Sequence, residues 1–205
     1  MSLRLAVFAS GSGTTLQNLM DRSQEGRLDA SVVVVISDQE KAKALDRARA
    51  VNVPAHYFPY RPKDVANYSH EAFDICRQAK ANLVVLAGFL KLIHIPQDFV
   101  GHVINVHPSL IPAFCGKGCY GHHVHEAAIE RGVKVSGCTV HYCDNEYDHG
   151  PIILQRVVDV TSEDDADSLA AKVQAAEREA LPEAIQLISQ GRVTLHGRKA
   201  IVHRS

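Results

Sequence analysis

The chain has 205 residues, 46% of them hydrophobic, with 22 Lys plus Arg against 23 Asp plus Glu and a formal charge of −1. That balance excludes a strongly basic nucleic-acid binder and an acidic solvated tail, and no apolar run reaches the ~18 residues of a membrane span. A chain of this length buries roughly 70% of its unfolded surface and can fold as one domain.

Leu3–Ala9 is a short apolar run that ends in a glycine loop, which predicts a buried strand. Thr14 or Thr15 is placed to cap a helix running to about Arg22. Ser31–Ser37 is too β-branched and too short for a helix and reads as a second strand. Gln39–Val51 carries Ala44, Leu45, Ala48 and Val51 at helical spacing. Val53–Phe58 reads as a third strand, Lys63–Lys80 as a helix, Asn82–Ala87 as a fourth strand and His102–His107 as a fifth. Alternating helices and continuously apolar strands predict an α/β fold, a mostly parallel Rossmann-like sheet flanked by helices.

The second half changes character. Val124–Arg131 reads as a short helix. Gly137–Cys143 and Pro151–Val160 flank a turn-rich segment and predict an antiparallel addition to the sheet. Ser162, Glu163 and Asp164 supply a cap and negative charge for a long helix to about Gln190, with Pro182 inside it and Gly191 after it. Val193–His196 and Ala200–His203 form a closing hairpin. No linker, repeat or low-complexity tract interrupts the chain. The expectation is one domain over 1–205, with a phosphate-binding half at 1–100 and a catalytic half at 101–205. Five cysteines and an N-terminus unlike a secretion signal point to a reducing, cytoplasmic setting.

Ligands of open α/β sheets bind at the carboxyl ends of the strands. Ser10, Gly11, Ser12, Gly13, Thr14 and Thr15 lie at one such end. A glycine loop opening a helix presents N–H groups to an anion; the same residues also make an ordinary tight turn and cap. Leu16 replaces the third glycine of a dinucleotide pattern, and Asp38 near the end of strand two is what remains of that reading. Asn105 and His107 alternate onto one face at the end of strand five. An amide that stabilises an oxyanion beside an imidazole that moves a proton suits acyl chemistry, although such a pair is also a common structural feature. Asp148, in the turn Asp144–Gly150, is either an Asx-turn residue or a carboxylate that orients a histidine. No G-x-S-x-G nucleophile elbow occurs, which favours direct attack of one substrate on another.

Twelve residues are His, and His102, His107, His122, His123, His125, His141 and His149 fall in one window with Cys115, Cys119, Cys138 and Cys143. Cys115, Cys119 and His122 have the ligand types for zinc. No second clean ligand pair accompanies them, so no metal is expected.

The ordered set SGSGTTLQ at 10–17, LAGFLKLI at 86–93, INVHPSLIP at 104–112, GCTVHYCDNEYDHGPIILQ at 137–155 and VQAAERE at 173–179 closely resembles the monofunctional, folate-dependent phosphoribosylglycinamide formyltransferases of purine biosynthesis. The resemblance spans nearly the whole chain. Methionyl-tRNA formyltransferases and formyltetrahydrofolate hydrolases resemble the same core but carry a further domain, and neither extension is expected here. The resemblance implies transfer of a formyl group from 10-formyltetrahydrofolate, as co-substrate, to the amine of glycinamide ribonucleotide. The backbone of Gly13, Thr14 and Thr15 would hold the ribose phosphate, with Gly11 and Ser12 shaping the loop. Glu177 matches the family glutamate on the ribose hydroxyls. Leu90, Lys91, Leu92 and Ile93 would line the pterin site, with Cys143, Asp144 and the rest of the turn to Asp148 as its other wall. Asn105, His107 and Asp148 would be catalytic, and His141 would support them. Small molecules are the expected partners, with no nucleic acid and no membrane, in a monomer or homodimer.

The chain departs from the family in three places. No Arg stands squarely where members meet the folate tail, though Arg61 and Lys63 lie in that region. Lys91 stands where many members carry Arg. The loop Ala113–His123 is longer than in several relatives. His122, His123 and His125 read as substrate contacts or as surface, and His102 and His149 carry no argued role.

Overall fold

Strand β1 (Leu3–Phe8) is buried from Leu5 onward, with Leu5, Ala6, Val7 and Phe8 all at 0% exposure. A strand this apolar must be covered on both faces, which parallel βαβ units achieve. The structure is a computed structural model and describes residues 2–203. The chain divides into two compact units, with the boundary between Asn105 and Val106.

In the first unit, β1 is followed by α1 (Thr14–Gln24), β2 (Ala30–Ser37), α2 (Lys43–Ala50), β3 (Ala55–Tyr57), α3 (Val65–Gln78), β4 (Leu83–Leu86) and β5 (Val103–His107), whose last two residues open the second unit. The strand order is β3-β2-β1-β4-β5, and the pairs β2–β3, β1–β2, β1–β4 and β4–β5 are parallel. The order reverses at β1, so the carboxyl ends of β1 and its neighbours form the ligand-binding edge of such a sheet. Phe8 packs edge-on against Phe89 and at a tilt against Phe73. Each large apolar side chain buried in this way contributes roughly 1.5–3 kcal/mol.

In the second unit the sheet order continues from the end of β5 to β6 (Val135–Tyr142) and β7 (Ile152–Asp159). β6 and β7 are antiparallel, with a register shift between Val140 and His141. Helices α4 (His122–Arg131) and α5 (Ala166–Ser189) pack on each other, and α5 also packs on both strands. The hairpin β8 (Val193–His196) and β9 (Lys199–Val202) follows. The expected mostly parallel sheet with an antiparallel addition is therefore present.

Helix starts differ from expectation: α3 begins at Val65 and not Lys63, α4 at His122 and not Val124, and three others show the physical reason. Thr14 and Thr15 do not cap α1 through their side chains. The N-cap is Gly13, left-handed at φ +69°, with no side-chain cap bond. A side chain there would be strained, and a Cβ would lie 2.7 Å from Ala44 Cα. Helix α2 begins at Lys43 and not Gln39, because Gln39–Ala42 form a turn closed by Ala42 N–H on the Gln39 carbonyl. Helix α5 begins at Ala166 and not Ser162, because Asp164 is spent earlier, accepting from Thr161 N–H, Thr161 Oγ1 and Lys172 Nζ. Asp165 then makes a reciprocal capping box with Ser168. A single 3₁₀ turn at Gln97–Phe99 carries no sequence signal of its own.

Candidate active site

In the second unit, His107 ends β5 with 4% exposure. Its Nε2–H donates to the Phe114 carbonyl at 2.9 Å, and a carbonyl can only accept. Its Nδ1 lies 3.5 Å from Asp148 Oδ2. With one nitrogen facing a carbonyl and the other a carboxylate, only an imidazolium can donate in both directions. Asp148 Oδ2 also accepts from Gly116 N–H at 2.9 Å, and Asp148 Oδ1 lies 3.8 Å from His141 Nε2. Asp148 thus stands between two buried histidines. His141 donates from Nδ1 to the Tyr142 carbonyl at 2.8 Å, which leaves its Nε2 as an acceptor when the ring is neutral. Burial pushes the His141 pKa down, so the neutral ring is favoured.

The turn that carries Asp148 is internally braced. Asp144 Oδ1 accepts from Glu146 N–H at 2.9 Å, the geometry of an Asx turn, and Asp144 Oδ2 accepts from His149 Nδ1 at 2.7 Å. Arg198, between β8 and β9, bonds the His149 ring and carbonyl. Arginine only donates, so His149 Nε2 is the acceptor and Nδ1 carries the proton. His149, without a role in the sequence, is thus a brace for the turn. Asp148 itself is left-handed at φ +53°. Gly150 allows the return into β7, since a Cβ there would lie 2.0 Å from the Tyr142 carbonyl oxygen.

The loop after His107 is pinned by polar residues that the sequence did not single out as a network. Thr139 Oγ1 donates to the Ser109 carbonyl at 2.7 Å and accepts from Ile111 N–H at 3.1 Å. Gln155 Nε2 donates to Thr139 Oγ1 and the Ile111 carbonyl. Ser109 Oγ donates to the Ala113 carbonyl at 2.6 Å. Thr139 and Ser109 are fully buried, and such hydroxyls persist only when bonded. Polar residues alternating with apolar ones in β6 and β7 were the available signal.

Also in the second unit, Glu177 on α5 is half-buried, and burial pushes its carboxyl up to about 7. Cys143 and Asp144 follow β6, and burial raises the Cys143 thiol strongly. His122 and His123 are exposed; His122 pairs with Asp167 and Glu126, and His123 with Glu126. His125 is buried, with burial lowering its pKa, so it is not a surface residue. Among the described residues, no group of three or more His, Cys, Asp or Glu is gathered to hold a metal.

In the first unit, Thr14, Thr15 and Leu16 begin α1, where a helix has N–H groups without intrahelical acceptors. Gly11, Ser12 and Thr14 are exposed, while Gly13 is buried against α2. Arg47 Nε donates to the Ser12 carbonyl at 2.9 Å and its Nη1 to Gln17, so α2 holds the loop in shape. Arg47 was not singled out in the sequence. Asn105 alternates onto the same face of β5 as His107 and is half-buried. Leu90 is 44% exposed and Ile93 only 3%. Lys91 Nζ stands 5.7 Å above the Tyr60 ring, and the Leu92 carbonyl accepts from Tyr60 at 3.2 Å. Arg61 is paired with Glu71 at 2.7 Å.

A Rossmann-like sheet whose fifth strand ends in an Asn-x-His pair, with a carboxylate turn beside that histidine, defines a class. The chain belongs to the formyl transferase family, whose profile matches residues 3–185. Within it, the similarity is to phosphoribosylglycinamide formyltransferases. The Bacillus subtilis phosphoribosylglycinamide formyltransferase is 34% identical over 188 residues, covering 89% of this chain and 93% of its own. The chloroplastic phosphoribosylglycinamide formyltransferase of Vigna unguiculata is 36% identical over 193 residues, covering 93% of this chain, and the chain spans 62% of that protein's length. The crystal structure of glycinamide ribonucleotide transformylase 1 from Symbiobacterium toebii superposes with a TM-score of 0.90 at 37% identity, covering 98% of this chain and 94% of the other.

Proposed function

We propose that this protein transfers the formyl group of 10-formyltetrahydrofolate to the amine of 5′-phosphoribosylglycinamide, giving the N-formyl product and tetrahydrofolate in purine biosynthesis. The observation that carries the reading is Asp148 held 3.5 Å from His107 Nδ1 while His107 Nε2 donates a hydrogen bond. In the proposed step the glycinamide nitrogen attacks the formyl carbon and the carbonyl electron pair moves to oxygen. The Asn105 amide and the His107 Nε2–H stabilise that oxyanion, with Nε2–H exchanging the Phe114 carbonyl for the stronger acceptor. Asp148 keeps the imidazole charged and orients a water that carries the proton from the attacking nitrogen to N10. The bond from the formyl carbon to N10 then breaks, and the carbonyl reforms. His141 faces Asp148 from the other side and supports its position.

The remaining roles belong to the same proposal. From the first unit, N–H groups of Gly13, Thr14 and Thr15 take the ribose phosphate at the positive end of α1, with Gly11 and Ser12 setting the loop. Leu90, Lys91, Leu92 and Ile93 contact the folate. From the second unit, Cys143 and Asp144 contact the folate and Glu177 takes the ribose hydroxyls. The chain is proposed to act as one domain in the cytoplasm, with no metal. Among the described residues no helix is long and apolar enough to cross a membrane.

The test is an absorbance assay of transfer from a 10-formyl folate analogue, run with and without glycinamide ribonucleotide. Turnover that requires the ribonucleotide is expected. Folate release at the same rate without it would identify a hydrolase, and a folded protein with no turnover would refute the proposal.

A further inference from the structure

A cavity of about 600 Å³ lies in the first unit at the carboxyl ends of β1 and β2. Its walls include Ser10, Gly11, Ser12, Asp38, Lys43 and Tyr57. Its size falls within the range of small-molecule sites. Gly13, Thr14 and Thr15, proposed above for the substrate phosphate, are not among its walls.

Asp38 is 6% exposed. Its Oδ2 accepts from Gln39 Nε2 at 2.9 Å, while its Oδ1 and the nearby Ser10 Oγ are buried without a hydrogen-bond partner among the described residues. A buried carboxylate oxygen is stabilised only when donors reach it, so an unpartnered one calls for donors from outside the chain. Tyr68 Oη is likewise buried without a partner, and the Asp38 charge is one cause of its raised pKa, after burial.

The other walls supply two further chemistries. Lys41 and Lys43 line it with Glu40 at the start of α2, where two cations against one carboxylate, together with the helix dipole, favour an anion. Tyr57 ends β3 and is 43% exposed, which leaves its ring open to stacking. A stacking surface, a carboxylate that needs hydroxyl donors and an anion-favouring rim match a base, a ribose diol and a phosphate in that order. Leu16 stands where a dinucleotide loop needs its third glycine for helix–strand packing, so one phosphate fits better than two.

We propose that this cavity is a second ligand site, which binds a nucleoside 5′-monophosphate with its base on Tyr57, its ribose hydroxyls on Asp38 and its phosphate near Lys41 and Lys43. The site adjoins the proposed substrate loop through Gly11 and Ser12, but its ligand contacts, Asp38, Lys41, Lys43 and Tyr57, lie outside that loop, and its occupancy does not depend on that reading.

The test is calorimetric titration of the full chain with AMP, 2′-deoxy-AMP and inorganic phosphate, with and without saturating glycinamide ribonucleotide. AMP is expected to bind at one site, and 2′-deoxy-AMP about tenfold more weakly for its lost hydroxyl. Tyr57→Ala is expected to weaken AMP about tenfold through lost stacking. Asp38→Asn should act in the same direction, and Tyr57→Ala carries the test if Asp38→Asn does not fold. Neither variant should change the KM for the ribonucleotide. No AMP binding up to about 10 mM would overturn the proposal and leave Asp38 with solvent as its partner. Binding that phosphate alone reproduces, that neither variant weakens, or that the ribonucleotide abolishes would overturn it equally.

Discussion

Asp148 lies 3.5 Å from His107 through Oδ2, and the same oxygen is fixed by Gly116 N–H at 2.9 Å. The carboxylate is therefore placed by the backbone of the loop that follows His107, and the Phe114 carbonyl on His107 Nε2 comes from that loop too. Two residues of one short segment set both ends of the imidazole. Its orientation is set before any ligand arrives, which suits a group that must stabilise a developing oxyanion.

Asp148→Asn separates charge from shape. An Asn oxygen still accepts Gly116 N–H, and Asn tolerates the left-handed backbone at φ +53°. The expected result is a kcat lower by about 10²-fold or more, with a much smaller change in KM and a thermal midpoint close to the parent's. Steady-state kinetics beside a melting curve measure all three. A kcat near the parent's would remove Asp148 from the proton path.

Gly13→Ala tests the phosphate loop through its backbone. The residue would be strained at φ +69°, and its Cβ would meet Ala44 Cα at 2.7 Å. A loss of about 2 kcal/mol or more is expected in urea denaturation, because the left-handed cost and the overlap with α2 act together. An unchanged denaturation midpoint would mean that α2 yields freely at this point.

The strands were legible because burial writes itself into composition. The runs at Leu3–Phe8 and Leu83–Leu86 are apolar at every position but Arg4 and could be little else. His107 and Asn105 were legible from their place at a strand end, and Asp148 from the resemblance of its turn. Helix starts were less so, because several Ser, Thr and Asp residues compete for each cap and only tertiary bonds choose between them. Arg47, Thr139, Gln155 and His149 act through partners 16 to 49 residues distant along the chain, as with Arg198 on His149 and Gln155 on Thr139. No local pattern encodes such pairings.

Asp165→Ala against Ser162→Ala locates the cap of α5 in solution. Asp165 accepts Ser168 N–H at 2.8 Å and its own N–H donates to Ser168 Oγ at 3.0 Å, whereas Ser162 lies outside the helix. Asp165→Ala should lower stability by about 1 kcal/mol, and Ser162→Ala should leave it nearly unchanged. Equal losses in chemical denaturation would place the helix start earlier than Ala166.

Glu177 gives the protein a pH signature. Burial raises its folded pKa to about 7, against an unfolded value of about 4.3. Between those values the folded state holds a proton that the unfolded state has released, so this residue's contribution to stability falls as pH rises. The contribution is complete below about pH 4.3 and lost above about pH 7, and its full size is at most about 4 kcal/mol. Glu177→Gln has no proton to lose. Relative to the variant, the parent should weaken steadily from pH 4 to pH 8 in denaturation midpoints. Parallel curves would show that the carboxyl is solvated and that its pKa is ordinary. The same variant bears on the proposed contact with the ribose hydroxyls, where a raised KM for the ribonucleotide at nearly constant kcat is expected, because Gln keeps one acceptor but loses the charge that strengthens it.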